Sequence, residues 1–347
     1  MLNARTCQGM TRRRVVMALP LLGAAQLAGA SGLQSAPAPL QRSARALMGT
    51  RVDMAVAAPG AKSQQLDFAM DAAWNEMERL ARMMTRYDAT SVVSVVNRAA
   101  GRHAVVVPRE MMVVLRTAQS LSSQTHGAFD VTVGALRAWE FGADARLPEP
   151  ALIEAERRLV GYGGLVLDVK AGTAQLTRPG MALDLGGIAK LPILSAGMRT
   201  LHAHGVENAL INGGGDVLVA GNHQGKPWRV GLRDPLAPER MLGVLALEGG
   251  AIVASSGDYE RFFMAQGERQ HHILDPATGR PTRGPHGISL LARDVSSVNG
   301  LGAAMMVLGG EPARSLVLKD TSVQALMVNH DGSVWQTPGM ARLLKAA

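Results

Sequence analysis

From Val52 onward, short runs of alternating apolar residues are interrupted by single helical segments. No other feature restricts the fold of this chain as much. Val52 to Ala57 alternates as a strand. Gln64 to Arg86 places Leu66, Met70, Ala73, Met77, Leu80 and Met84 at helical spacing, and the methionines of that stripe read as adaptable core filler. Arg109 to Thr125 predicts a second helix, ended by His126-Gly127, and Pro150 to Leu159 a short third one. Gly164 to Leu176 has hairpin character around Lys170-Ala171-Gly172. Ile188 to His204 reads as a helix closed by Gly205, and Asn208 to Ile211 as a strand entering a glycine turn. Antiparallel strands are expected between Trp228 and Val253, a helix over Leu301 to Leu308, and a closing hairpin over Val323 to Val334. Runs of strands broken by single helices predict an α+β fold with mostly antiparallel sheets and flanking helices, not a doubly wound one.

The chain has 347 residues, 47% hydrophobic and 18% charged, enough to bury a full core, which excludes a disordered or disulfide-stapled protein. Its net charge of +8 is halved once Arg5, Arg12, Arg13 and Arg14 are set aside, and no basic run follows. Aromatic residues make up only 3%, too few for stacking on single-stranded nucleic acid, so no nucleic-acid partner is expected. Those arginines precede an apolar stretch from Val15 to Ala30, with Ala28-Gly29-Ala30 offering small residues for cleavage before Ser31. Residues 1–30 therefore read as an export signal of the twin-arginine type, directing the chain to the periplasm. An uncleaved membrane anchor is the alternative, although the apolar run is short for a span. Residues 31–44, with Ser, Ala and Pro at their start, read as a linker, and no later stretch is long and apolar enough to cross a bilayer. The only cysteine, Cys7, lies in the signal, so the rest of the chain offers no thiol chemistry.

Five stretches concentrate glycine with acids or histidine. Gly127-Ala128-Phe129-Asp130-Val131-Thr132-Val133-Gly134 either lets backbone amides approach a ligand or simply joins a helix to a strand. Asp184-Leu185-Gly186-Gly187-Ile188-Ala189-Lys190 opens a helix, where free N–H groups and a lysine suit a phosphate. It matches neither GxxxxGK[ST] nor GxGxxG. Asn212-Gly213-Gly214-Gly215-Asp216 is either an anion nest or a wide hairpin turn. Ala254-Ser255-Ser256-Gly257-Asp258-Tyr259 is followed by His271-His272-Ile273-Leu274-Asp275-Pro276-Ala277-Thr278-Gly279. Adjacent histidines on a strand face opposite ways and do not easily share a metal, which leaves one of them as a candidate base or phosphate partner. There is no GxSxG, no HExxH and no cysteine nucleophile, and the set suits a phosphate-bearing ligand better than a protease or a lipase.

With Met48-Gly49-Thr50 and with Tyr87, Ser91, Ser94 and Asn97, these stretches resemble the ApbE family of flavin transferases, in family order, over residues 45–345. The resemblance implies two intertwined lobes around an FAD cleft. It also implies FMN transfer from FAD to a threonine or serine of a periplasmic or membrane-anchored flavoprotein acceptor, with release of AMP and assistance from Mg²⁺. Met48, Tyr87, Ala128, Phe129, Asp130, Asp184, Lys190 and Ile273 would hold FAD, while His272 and Asp258 would serve the chemistry. Gly187, Asn299 and Ala303 stand at the metal positions. There the family's aspartate is replaced by Asn299 and its threonine by Ala303, so one neutral side-chain oxygen remains for a cation that prefers charged ones. Leu191-Pro192 replaces the glycine and aromatic residue usual after Lys190, which is expected to delay the helix start and reshape the phosphate cradle. The reading of another class is a non-catalytic periplasmic FAD-binding protein, a flavin carrier or assembly factor.

Overall fold

The computed structural model describes residues 40–58, 60–142 and 145–346; the expected export signal lies outside them. Eight strands form one antiparallel sheet. In spatial order they are Leu40–Leu47, Thr50–Ala57, Asn208–Gly213, Asp216–Ala220, Ala251–Gly257, Gly287–Ala292, Gln324–Val328 and Val334–Gln336. The alternation seen in the sequence divides the interior, because successive side chains leave a strand on opposite faces. Met54, Ile211, Leu218, Ile252, Leu290 and Met327 face the main core, which the helices cover. Leu210, Val219, Val253, Leu291 and Leu326 face a second core. The three-stranded sheet of Trp228–Arg233, Met241–Leu247 and Leu344–Lys345 closes that side.

Helix Ser63–Met84 follows its predicted stripe, burying Leu66, Met70, Ala73, Met77, Leu80 and Met84, with Trp74 wholly enclosed. It packs on helix Lys190–Ala203 at Gly197, where a Cβ would come within 2.7 Å of the Met77 sulfur. Helices Arg109–Gln124, Pro150–Arg157 and Leu301–Leu308 form where periodicity places them.

Three local expectations change. Residues 40–44, read as the end of a linker, are the first half of an edge strand paired in register with Thr50–Ala57. An edge strand tolerates polar residues because one side of its ladder is unpaired; here Arg45 reaches Asp71 and Glu78, and Ser43 accepts from the Trp74 indole. A helix over Val92–Arg98 was not anticipated; Ser91 caps it, its hydroxyl accepting from Ser94 N–H at 3.0 Å. The helix expected from Ile188 begins at Lys190. Pro192 falls in its first turn, where a missing N–H costs nothing.

Candidate functional site

Most of the singled-out stretches converge on one end of the eight-stranded sheet. Met48 and Gly49 form a two-residue hairpin turn with φ of 55° and 71°, and Gly214 and Gly215 form another with φ of 70° and 98°. The turns touch, since a Cβ on Gly214 would lie 2.6 Å from the Thr50 hydroxyl. The glycine run is thus a tight hairpin, not an anion nest. Beside it, Ser255 N–H donates to Asp216 Oδ1 at 3.0 Å. A Cβ on Gly302, in the first turn of helix Leu301–Leu308, would lie 2.7 Å from the Ser256 hydroxyl, which brings that helix start to the same place.

Lys190 enters from the start of its helix and pairs with Asp216 at 2.9 Å. A lysine there opposes the helix dipole, and buried Asp216 is what compensates it. Three amides of the expected cradle are already satisfied within the segment. Gly186 N–H donates to Asp184 Oδ1 at 2.7 Å, and Ile188 and Ala189 donate to the Leu185 carbonyl at 3.0 and 2.8 Å. The charge at this corner therefore comes from side chains more than from a nest.

Asp184 is held by Arg86 at 3.1 Å, and the same guanidinium lies 5.3 Å from the centre of the Tyr87 ring, which is 79% exposed. Two predicted FAD contacts are thus joined through a residue that sequence reasoning missed. Asn97 fixes the approach to Asp184, its amide accepting from Leu183 N–H at 2.6 Å and donating to the Leu183 carbonyl at 3.1 Å. Ala128 is half-buried and Phe129 buried; a Cβ on Gly187 or on Gly300 would lie 3.4 or 3.2 Å from the Phe129 ring. Asp130 is buried, with Thr132 N–H and hydroxyl both donating to Oδ1 at 2.7 Å. Burial pushes its carboxyl upward against those bonds. Ile273 packs on the main core.

The structure separates the two histidines. His271 is buried, Nε2 donating to the Thr282 carbonyl at 2.9 Å and Nδ1 accepting from Ile273 N–H at 3.3 Å, so both nitrogens serve the backbone. His272 donates its N–H to the Arg261 carbonyl at 3.1 Å and places Nδ1 3.3 Å from the same oxygen. That acceptor assigns the proton to Nδ1 and leaves Nε2 with its lone pair. Burial, then the Arg261 charge, push His272 down to about 4. Between about 6.5 and 4 the unfolded chain binds the proton that folded His272 refuses, so this group's contribution to stability falls as the pH is lowered through that window. An NMR titration of the imidazole should give a midpoint near 4, with no change between pH 6 and 8.

Asp258 belongs to a second cluster: Arg269 lies 2.6 Å from one carboxylate oxygen, and His286 Nδ1 lies 2.7 Å from the other. His271 ends the strand pair Phe262–Ala265 and Glu268–His271 and His272 follows it, the pair being anchored by Phe263 against Phe141 and the neighbouring Trp139. Asp275 closes the turn that the sequence suggested, accepting from Ala277 N–H and the Thr278 hydroxyl. Two surface concavities, one beside Phe68 and His204 and one beside Pro285 and His330, contain none of the predicted FAD contacts.

The ApbE family model matches residues 48–327. The chain belongs to the ApbE family. It is 31% identical to a Rhodobacter capsulatus protein named FAD:protein FMN transferase, over 99% of this chain and 68% of that one. A Klebsiella pneumoniae protein of the same name is 37% identical over 59% of this chain and 64% of its own length. The crystal structure of the Thermotoga maritima ApbE protein superposes with a TM-score of 0.80 at 29% identity, covering 88% of this chain and all of that one. Flavin transferase ApbE from Vibrio cholerae gives 0.75 at 26% identity, with the same coverage.

Within this ApbE chain, the expected metal position can be tested against its own donors. Gly187 and Ala303 are neighbours, a Cβ on the former lying 3.8 Å from that of the latter. Asn299 is buried, and its side-chain amide forms no hydrogen bond among the described residues. Asp184 and Asp216 are already paired with Arg86 and Lys190. Among the described residues no three histidine, cysteine or acidic side chains are grouped to hold a cation. Mg²⁺ keeps its waters and binds through carboxylates and phosphates, so this donor set does not fit it.

Proposed function

We propose that the chain transfers FMN from FAD to a hydroxyl of a partner protein. The observation that carries this is family membership: relatives named FAD:protein FMN transferase match across most of the chain. They favour the transferase over a flavin carrier. The acceptor's hydroxyl oxygen forms a bond to the FMN phosphorus, the phosphoanhydride bond breaks, and AMP leaves with its phosphate. Neutral His272, with Nε2 unprotonated, is placed to accept the hydroxyl proton. Lys190 meets the developing phosphate charge, as phosphoryl transfer depends on positioning and charge neutralisation. Exposed Tyr87 offers a ring face to the flavin.

The acceptor is a flavoprotein bearing a threonine or serine, and the setting is the periplasm, reached by the twin-arginine route. The paired arginines ahead of the apolar N-terminal stretch support this. Among the described residues no helix is long and apolar enough to cross a membrane. Incubating the protein with FAD and such an acceptor should yield flavin fluorescence that survives on the acceptor in a denaturing gel, with one AMP released per flavin attached. A dark acceptor beside intact, bound FAD would favour the carrier instead.

A further inference from the structure

Resting on the transferase reading, the question is which charges neutralise the pyrophosphate. Two cations at the site already have partners, Lys190 with Asp216 and Arg86 with Asp184. Arg261 does not: its guanidinium makes no ion pair or hydrogen bond among the described residues. Its backbone carbonyl receives His272 N–H, so Arg261 is tied to the histidine by the main chain. Its side chain extends to the first hairpin turn, where Gly49 makes room for it; a Cβ there would lie 2.7 Å from Nη2. The guanidinium therefore links His272 to the Met48–Gly49 turn while remaining exposed and unneutralised. Its charge is the largest Coulombic influence holding the His272 imidazole down, with that of Lys190 also felt there. A free guanidinium presents its donors as a planar fork that matches phosphate oxygens two at a time.

We propose that Arg261 binds the pyrophosphate of FAD and, with Lys190, supplies at the phosphoryl centre the positive charge that Gly187, Asn299 and Ala303 cannot anchor as a divalent cation. Salt-bridged Lys190 fixes the geometry and Arg261 adds the net charge. Gly49 belongs to the same device, since any side chain there displaces the guanidinium.

The test is equilibrium binding of FAD and of riboflavin to the full chain, read by flavin fluorescence anisotropy in EDTA and again with Mg²⁺. The wild type should bind FAD equally well in both buffers. Arg261→Gln should weaken FAD binding about tenfold to a hundredfold, the range for a charge-assisted pair, and leave riboflavin, which has no phosphate, unchanged. Arg261→Lys should recover part of the loss. Equal weakening of both flavins would assign Arg261 to turn packing and overturn the proposal. So would an unaltered FAD affinity in Arg261→Gln, or FAD binding by the wild type that needs Mg²⁺. A wild type that binds neither flavin would instead remove the transferase reading beneath it.

Discussion

Lys190→Ala is expected to slow FMN transfer by roughly two to three orders of magnitude, the cost of removing one preorganised charge from a group-transfer site. The effect is larger than loss of a cation alone, because Lys190 is the ion-pair partner of Asp216. Without it, the buried carboxylate keeps only the Ser255 N–H among these contacts, and the local charge changes from neutral to negative where phosphates must approach. Breaking a buried pair from one side is also destabilising. Here the cost is held to roughly 1–3 kcal/mol because Lys190 itself is about a third exposed to water. Adding Asp216→Asn to Lys190→Ala should recover part of the rate, since it removes the stranded negative charge without restoring the positive one. Single-turnover AMP release separates the cases. If the double variant is no faster than the single one, repulsion by Asp216 is not part of the defect.

Gly134→Ala should destabilise the protein by about 3 kcal/mol and lower its melting temperature by roughly 5–10 °C. A Cβ at this position would lie 2.5–2.6 Å from the Leu183 carbonyl carbon and the Ala182 and Leu183 oxygens, all main-chain atoms that no rotamer change can move. The segment must separate from residues 182–184, to which it is joined by the Val133–Ala182 bridge and by Asp184 N–H donating to the Val131 carbonyl at 2.8 Å. Because the same contact sets the position of Asp184, FAD affinity should fall alongside stability. Thermal melts followed by circular dichroism and a flavin titration below the new midpoint check both parts. Gly142→Ala is the control, since a Cβ there meets nothing within 4 Å.

Both predictions concern residues whose importance was only partly legible. Lys190 stood out in the sequence because it follows two glycines at a helix start. Its partner Asp216 lies 26 positions away, and only the sheet brings the two together. The reading of Asp184-Leu185-Gly186-Gly187 as a cradle of free amides is narrowed for a local reason: Asp184 and Leu185 accept the N–H groups of Gly186, Ile188 and Ala189. The linker ending at residue 44 failed because an edge strand needs no continuous apolar run. Arg86 and Arg261 left no sequence signal, since an arginine near a motif resembles any surface arginine until its partners are known.

What the amino-acid sequence determined by itself was periodic or contiguous. The alternation of the strands, the methionine stripe and the helix over Leu301–Leu308 follow from residue identity and spacing, and the absence of a carboxylate at Asn299 and of a hydroxyl at Ala303 follows from the resemblance to the ApbE family. The tertiary structure alone decided which of two adjacent histidines keeps a free nitrogen, and which cations remain unpaired. Those outcomes depend on the carbonyls of Thr282 and Arg261 and on the carboxylates of Asp184 and Asp216. Hydrogen bonds and ion pairs act over a few ångströms in space. Spacing along the chain carries them only where the two partners share one turn or one strand.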